Sequence, residues 1–189
     1  MSILSADAQT VTDGTAAEVS LYEPANGLAL NLFAGVHLAQ YFSIQADWIW
    51  NRNDLTLFSS FLTPVAGGYY EQRRHSSQHA VVLDGLIYFR RLDSAVRPYL
   101  GTGISVVRFS SGVTSTSEHG LAAPGGEIVS TRIGLRSHVG IDLRLSRHAS
   151  FRYSFSEMIG GNPISPSLTP PGQRGLMNFQ NLFGFLARF

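Results

Sequence analysis

The chain predicts an all-β fold, an eight-stranded, antiparallel, up-and-down transmembrane β-barrel, and three observations carry that prediction. Extended segments alternate apolar and polar residues with period two almost throughout, which puts successive side chains on opposite faces of a strand. The connections between those segments alternate short and long, as in membrane barrels with tight turns at one end and large loops at the other. The last alternating segment runs to the final aromatic residue, with Phe179, Phe183, Phe185, Ala187 and Phe189 on one face.

Residues 1–14 show no regular pattern and are expected to be a disordered N-terminal segment, with the barrel domain spanning 15–189. Segment 15–23 alternates weakly, Ala17, Val19 and Leu21 against Glu18, Ser20 and Tyr22. Segment 28–36 sets Leu28, Leu30, Leu32, Ala34 and Val36 against Ala29, Asn31, Phe33 and Gly35. Segment 42–51 sets Phe42, Ile44, Ala46, Trp48 and Trp50 against Ser43, Gln45, Asp47, Ile49 and Asn51. Over 80–90, Val81, Leu83, Ile87 and Phe89 oppose Val82, Asp84, Leu86, Tyr88 and Arg90. Over 96–109, Val96, Pro98, Leu100, Thr102, Ile104 and Val106 oppose Arg97, Tyr99, Gly101, Gly103 and Ser105. Over 131–145, Ile133, Leu135, Val139, Ile141, Leu143 and Leu145 oppose Arg132, Gly134, Arg136, His138, Gly140, Asp142 and Arg144. Phe151, Tyr153 and Phe155 then oppose Ser150, Arg152, Ser154 and Ser156, and the Phe179–Phe189 segment follows. An antiparallel ring needs an even number of strands, so the eighth is either 15–23 or a segment upstream of Met1. The three long connections are 53–77, 111–129 and 159–175; the first, with Leu55, Leu57, Phe58, Phe61, Leu62, Tyr69 and Tyr70, either extends the wall as a hairpin or forms a contact patch.

Period two does not say which face points outward. The polar face is narrow, with Gly101, Gly103, Gly134, Gly140, Gly184 and Ser105 beside a few large ionic groups, which suits a small packed interior. The apolar face carries aromatics near strand ends, Trp48, Trp50, Phe89, Phe109 and Phe189, as interfacial girdles do. The strands also exceed the about 9–11 residues that a tilted membrane strand needs. These features predict apolar residues outward; a soluble barrel would turn them inward.

Composition narrows the function. The net charge of +1 gives no electrostatic case for nucleic acid. All fourteen basic residues are Arg, and Cys is absent, which removes disulfides and thiolate sites. No stretch approaches the about 20 apolar residues of a membrane helix, and the first residues show no signal-peptide pattern. No cofactor or metal is expected; the histidines at 75, 79, 119 and 138 have no ligand-like spacing.

The run Arg97-Pro98-Tyr99-Leu100-Gly101-Thr102-Gly103 resembles a strand start of small outer-membrane barrels of the OmpA, OmpX and OmpW type. The final strand is similar to the C-terminal assembly signal of such proteins, with Phe189, Ala187 and Gly184 in the matching places, although Leu182 stands where a polar residue is usual. The resemblance covers roughly 26–189. It implies a bacterial outer-membrane location, contact with membrane lipids and lipopolysaccharide, and recognition of the last strand by the barrel assembly machinery. It says little about the task, because this fold hosts adhesins, lipid-modifying enzymes, small channels and inert anchors.

The chemistry lies on the polar face: Asp47, Asp84, Arg90, Arg97, Arg132, Arg136, His138, Asp142, Arg144 and Arg152. Three acids face six arginines there, so pairing is incomplete unless Glu18, Glu157 or water contributes. This set reads as an ionic network filling the lumen, or else as a narrow anion-favouring pore. His148-Ala149-Ser150 with Glu157 imitates the His-x-Ser pair and acid of barrel lipid A deacylases, but Phe151 replaces the usual Asn and His148 falls in a short turn. No catalytic residue is therefore assigned. The expected role is structural or interactive at the cell surface; the alternatives are transport, as a small pore or hydrophobic-molecule conduit, and an outer-leaflet lipid enzyme.

Overall fold

The computed structural model describes residues 2–4, 7–13, 16–172 and 174–187. Its strands are β1 (Ser2–Leu4), β2 (Asp7–Asp13), β3 (Ala16–Pro24), β4 (Leu28–Ala39), β5 (Phe42–Leu62), β6 (Gly67–Tyr88), β7 (Val96–His119), β8 (Ile128–Arg144), β9 (Ala149–Gly161) and β10 (Gly175–Ala187). Each strand-to-strand ladder is antiparallel. The sheet runs β1-β10-β9-β8-β7-β6-β5-β3-β2, with β4 also paired to β5.

These strands make eight staves of one barrel. β3 and β4 pair with successive stretches of β5, Leu21 opposite Phe58 and Leu30 opposite Trp50. At the break between them the Ala25 N–H donates to Asp54 O at 2.7 Å, and Asn53 Nδ2 donates to Ala25 O at 2.7 Å. β1 and β2 stand at the two ends of the sheet order and are consecutive strands in the chain, as an up-and-down barrel requires. Closure leaves no sheet edge where it is complete.

Two expectations about the N-terminal region change. Residues 1–14 were expected to be disordered, but 2–4 and 7–13 form strands. Segment 15–23 does become a strand, but it is the outer half of the second stave rather than the first. The first stave escapes pattern reading because β2 pairs with β3 where neither face meets a long apolar row; Gln9, Thr10 and Thr12 suit a strand without alternating in hydrophobicity.

Short turns at 40–41, 89–95 and 145–148 mark the inner end of the barrel. Toward the outer end, β5, β6 and β7 run on far past their neighbours, so most of the 53–77 connection is a regular hairpin closed by Thr63, whose Oγ1 donates to Ala66 O at 2.8 Å. Much of the 111–129 connection is likewise strand, since β7 continues to His119.

In the inner half the outward face is apolar. Leu30, Leu32, Phe42, Ile44, Val81, Leu83, Leu100, Ile104, Leu135 and Val139 are exposed, and Phe183 and Phe185 are 70% and 77% exposed. Most inward residues there are polar, with Ile49, Val82 and Leu86 among the exceptions, which is the membrane-barrel arrangement. Beyond about residue 51 of β5 the pattern inverts. Leu55, Leu57, Tyr70 and Phe109 are buried inward, while Arg52, Asp54, Arg73 and Arg108 point out. Phe109 therefore belongs to the core, not to an outer aromatic girdle: it shares the inward register of Ser105 and is 1% exposed.

The 162–174 connection folds inward instead of projecting. Ile164 and Leu168 pack with Tyr22, Leu55, Leu57, Tyr70, Phe109 and Leu176 in one apolar cluster. Asn162 Oδ1 accepts the N–H groups of Ile164 and Ser165 at 2.9 and 3.1 Å, which turns the chain into a 3-10 turn over Ser165–Ser167. Ser20 Oγ donates to Pro170 O at 2.6 Å, and Ser59 donates to Thr169 O, fixing the plug to the opposite wall. Each fully buried side chain of that size contributes about 1.5–3 kcal/mol.

Candidate functional site

The lumen of the inner half is built on register. Inward positions recur on every second residue, so neighbouring strands bring Asp47 of β5, Asp84 of β6 and Arg136 of β8 to one level. Arg136 Nη1 donates to Asp84 Oδ2 at 2.8 Å and lies 3.2 Å from Asp47 Oδ1, with the Arg136 residue 1% exposed. His138 Nε2 is 3.5 Å from Asp84 Oδ2. Asp47 is also held by neutral donors, Asn31 Nδ2 and Gln45 Nε2, each at 2.8 Å. Two buried carboxylates around one guanidinium need those extra donors, since desolvation of an unmatched charge is costly.

A second cluster lies toward the inner end. Arg152 makes a forked pair with Asp142, Nε to Oδ1 at 2.6 Å and Nη2 to Oδ2 at 2.8 Å. It also donates to Gln45 Oε1 at 2.6 Å and to the Tyr88 hydroxyl at 2.9 Å, and its guanidinium sits 4.7 Å from the Tyr99 ring centroid. Arg97 stacks 3.8 Å over Tyr88 and contacts His37 Nε2 at 3.0 Å.

Glycines make room for these groups. A Cβ on Gly101 would lie 1.9 Å from His138 Nε2, and one on Gly140 would lie 2.4 Å from the Tyr99 ring. Each glycine sits directly opposite the ring it admits, so the lumen interleaves large and empty positions.

Of the ten polar-face residues singled out in the sequence, Asp47, Asp84, Arg97, Arg136, His138, Asp142 and Arg152 are buried. Arg90, Arg132 and Arg144 are exposed and stand apart from the clusters. Arg90 falls in the 89–95 turn. Arg132 lies on β8 beyond Gly134, where pairing with β9 stops. Arg144 lies at the inner rim, beside a cavity of about 1070 Å³ whose floor is Tyr88, Asp142 and Arg152. Without those three, the buried arginines and aspartates of the inner half are equal in number, which resolves the apparent excess of positive charge.

Gln45, Asn31, Tyr88 and Tyr99 complete the network and were not predicted as site residues. The signal for them was shared face: Tyr88 follows Asp84, and Tyr99 follows Arg97, at even spacing. His148, Ser150 and Glu157 are not brought together. His148 is exposed in a turn, the Ser150 hydroxyl is buried inward, and Glu157 lies further along β9 on the outward register. In the C-terminal strand, Gly184 faces inward opposite Arg152 and Ala187 is exposed, while Phe189 lies outside the described residues.

Above the membrane-type belt, Arg74 is buried with neutral partners. It donates to Ser111 Oγ (3.1 Å) and O (2.9 Å), Gln72 Oε1 (2.6 Å), Pro124 O (3.3 Å) and Gly126 O (2.6 Å), tying the 120–127 connection to β6. Nearby, burial pushes the Tyr22 phenol well above its usual range, so it behaves as an apolar ring with a neutral hydroxyl.

Among solved structures, the chain is similar to Neisserial surface protein A, with a TM-score of 0.45 and 14% identity over 91% of this chain and 96% of that one. It is also similar to the outer membrane protein OprG from Pseudomonas aeruginosa, with a TM-score of 0.39 and 11% identity over 100% of this chain and 95% of that one. No protein-family model matches the chain, and no curated protein matches it by sequence.

Proposed function

We propose that the chain is a bacterial outer-membrane barrel that serves as a sealed anchor, presenting its outer extension for contact at the cell surface. The observation that carries this reading is Arg136, bridging Asp47 and Asp84 across the lumen from three different strands with almost no exposure. A pore needs mobile or hydrated groups at its narrowest level. Here those groups are spent on one another. The apolar plug formed by 162–174 adds a second closure toward the outer end.

In this reading the inner-half belt contacts membrane lipids, and the outer extension stands at the height of lipopolysaccharide. The last strand, through Gly184, Ala187 and Phe189, is the element that the barrel assembly machinery reads. The protein acts without catalytic chemistry or a cofactor. Purified chain in planar bilayers is expected to give no current steps above background. Reproducible anion-selective steps would replace the anchor with a transport function.

A further inference from the structure

On the outer wall, three successive cross-strand rows of β5, β6, β7 and β8 change character abruptly. Trp48, Val81, Val106 and Ile133 pair across the four strands and form an exposed apolar row. The next outward-facing row is Trp50, His79, Arg108 and Thr131, and the one beyond it is Arg52, Ser77, Ser110 and Val129. Each position lies an even number of residues from the apolar row, so all three rows share one face of the sheet. None of them contains an acid.

The two arginines keep donors to offer. Arg52 Nε donates to the His75 ring, whose other nitrogen meets Asp54, so that carboxylate is already engaged through His75. Among the described residues, no hydrogen bond or ion pair takes up the Nη groups of Arg52 or any part of the exposed Arg108. Glu71, further out on β6, lies 3.7 Å from Arg73. Arg52 and Arg108 stand on either side of β6, about 10 Å apart across the sheet, within the combined reach of two such long side chains. Between them on β6 are the Ser77 hydroxyl and the His79 ring, the latter 5.9 Å from the Trp48 ring.

A small anion in water would need only the guanidiniums. Here they sit directly above an apolar row about 14 Å wide, broad enough for several acyl chains side by side. Tryptophans at such a boundary suit a membrane interface, and guanidiniums bind phosphate through paired donors. We infer that this patch of β5–β8 is a binding site for one kind of ligand, an outer-leaflet lipid whose head carries phosphate monoesters. Arg52 and Arg108 hold the phosphate, Ser77 and His79 lie beneath it, and the acyl chains run down the Trp48–Ile133 row and the apolar wall below.

The inference rests on the membrane reading of the belt, and one assay separates the two. The chain's two tryptophans, Trp48 and Trp50, both border the site, so their fluorescence reports the lipid beside it. The chain is placed in vesicles containing brominated phosphatidic acid or brominated phosphatidylcholine. Quenching is expected to favour phosphatidic acid at least about fivefold, the size of one arginine's attraction for an anionic membrane. Arg52→Gln with Arg108→Gln is expected to bring the preference close to one. Arg73→Gln, an outward change higher on β6, is expected to leave it unchanged. Inorganic phosphate in large excess is also expected to leave the preference unchanged, because it lacks the tails. Equal quenching of the unaltered chain by both lipids, or a preference that survives the double variant, overturns the site. Loss of the preference with Arg73→Gln reduces it to general surface charge, and loss with inorganic phosphate makes it a free-phosphate site; either result overturns the lipid assignment. Failure of both lipids to quench overturns the membrane reading instead.

Discussion

The two halves of β5 obey opposite rules within one continuous strand. From Phe42 to Trp48 the outward residues are apolar and the inward ones are Ser43, Gln45 and Asp47; by Leu55 and Leu57 the apolar residues have turned inward. The backbone geometry is unchanged across the switch, since β5 pairs with β6 without a break from Phe42 to Leu62. On the membrane reading proposed above, what changes is the surrounding solvent. Against lipid the wall must be greasy outside, so ionic pairs hold its interior. In water the wall must be polar outside, and burial of Leu55, Leu57, Tyr70, Phe109 and Ile164 holds it instead.

The largest way to break this comparison is to unbalance the ionic half. Arg136→Ala leaves Asp47 and Asp84 buried near one another with no guanidinium between them. Removing one partner of a buried ion pair costs about 3–5 kcal/mol. The expected result is loss of most heat-modifiable, folded barrel on a gel and a large fall in the urea midpoint. The triple variant Asp47→Asn, Asp84→Asn, Arg136→Met is expected to recover part of that loss, because it removes the charges together. Equal damage from both variants would mean that shape, not charge balance, holds this level.

The same contrast explains what was legible in the sequence. The narrow, glycine-bearing polar row said which face turns inward; alternation separated the apolar rows from the row that holds Asp47, Asp84, Arg136 and Arg152, because period two reports shared face directly. It does not report height. Arg90, Arg132 and Arg144 share the inward register but sit in a turn, beyond the β8–β9 pairing and at the inner rim respectively, so they escape burial. Phe109 was placed outward because it is an aromatic near a strand end, although its register, shared with Ser105, already turned it inward. The inward fold of 162–174 was equally hidden: its four prolines read as an outer loop, and only the burial of Ile164 and Leu168 shows a plug. Gln45 and Tyr88 showed only a shared face in the sequence; their roles depend on partners far away in the chain, Arg152 above all.

A paired substitution sharpens the boundary between the halves. Leu83→Arg puts a charge on the exposed outward face of the inner half, where Leu83 stands between Val81 and Ile87 in the lipid row. A lipid-facing Arg costs about 2–4 kcal/mol near mid-membrane. Thr56→Arg makes the corresponding outward change on β5 above the inversion, where surface substitutions fall within about 0.5 kcal/mol. Reversible unfolding in lipid vesicles measures both. Similar penalties at the two positions would erase the boundary drawn here.

The smallest expected effect is at Arg74, and it tests whether a buried arginine means the same thing in both halves. Arg136 neutralises carboxylates, whereas Arg74 donates to the carbonyls of Ser111, Pro124 and Gly126 and to neutral side chains. Arg74→Met keeps most of the volume and removes the donors, leaving those carbonyls to be rehydrated. A buried acceptor left unpaired costs about 1–3 kcal/mol. Here the 120–127 connection borders water and can open locally, so the global loss is expected at the lower end of that range. The local readout is sharper: protease cleavage between Gly120 and Glu127 is expected to accelerate severalfold while the folded band on a gel persists. A collapse comparable to that of Arg136→Ala would show that the outer extension and the membrane-spanning half unfold as one unit, and the division between an ionic half and an apolar half would then describe composition but not stability.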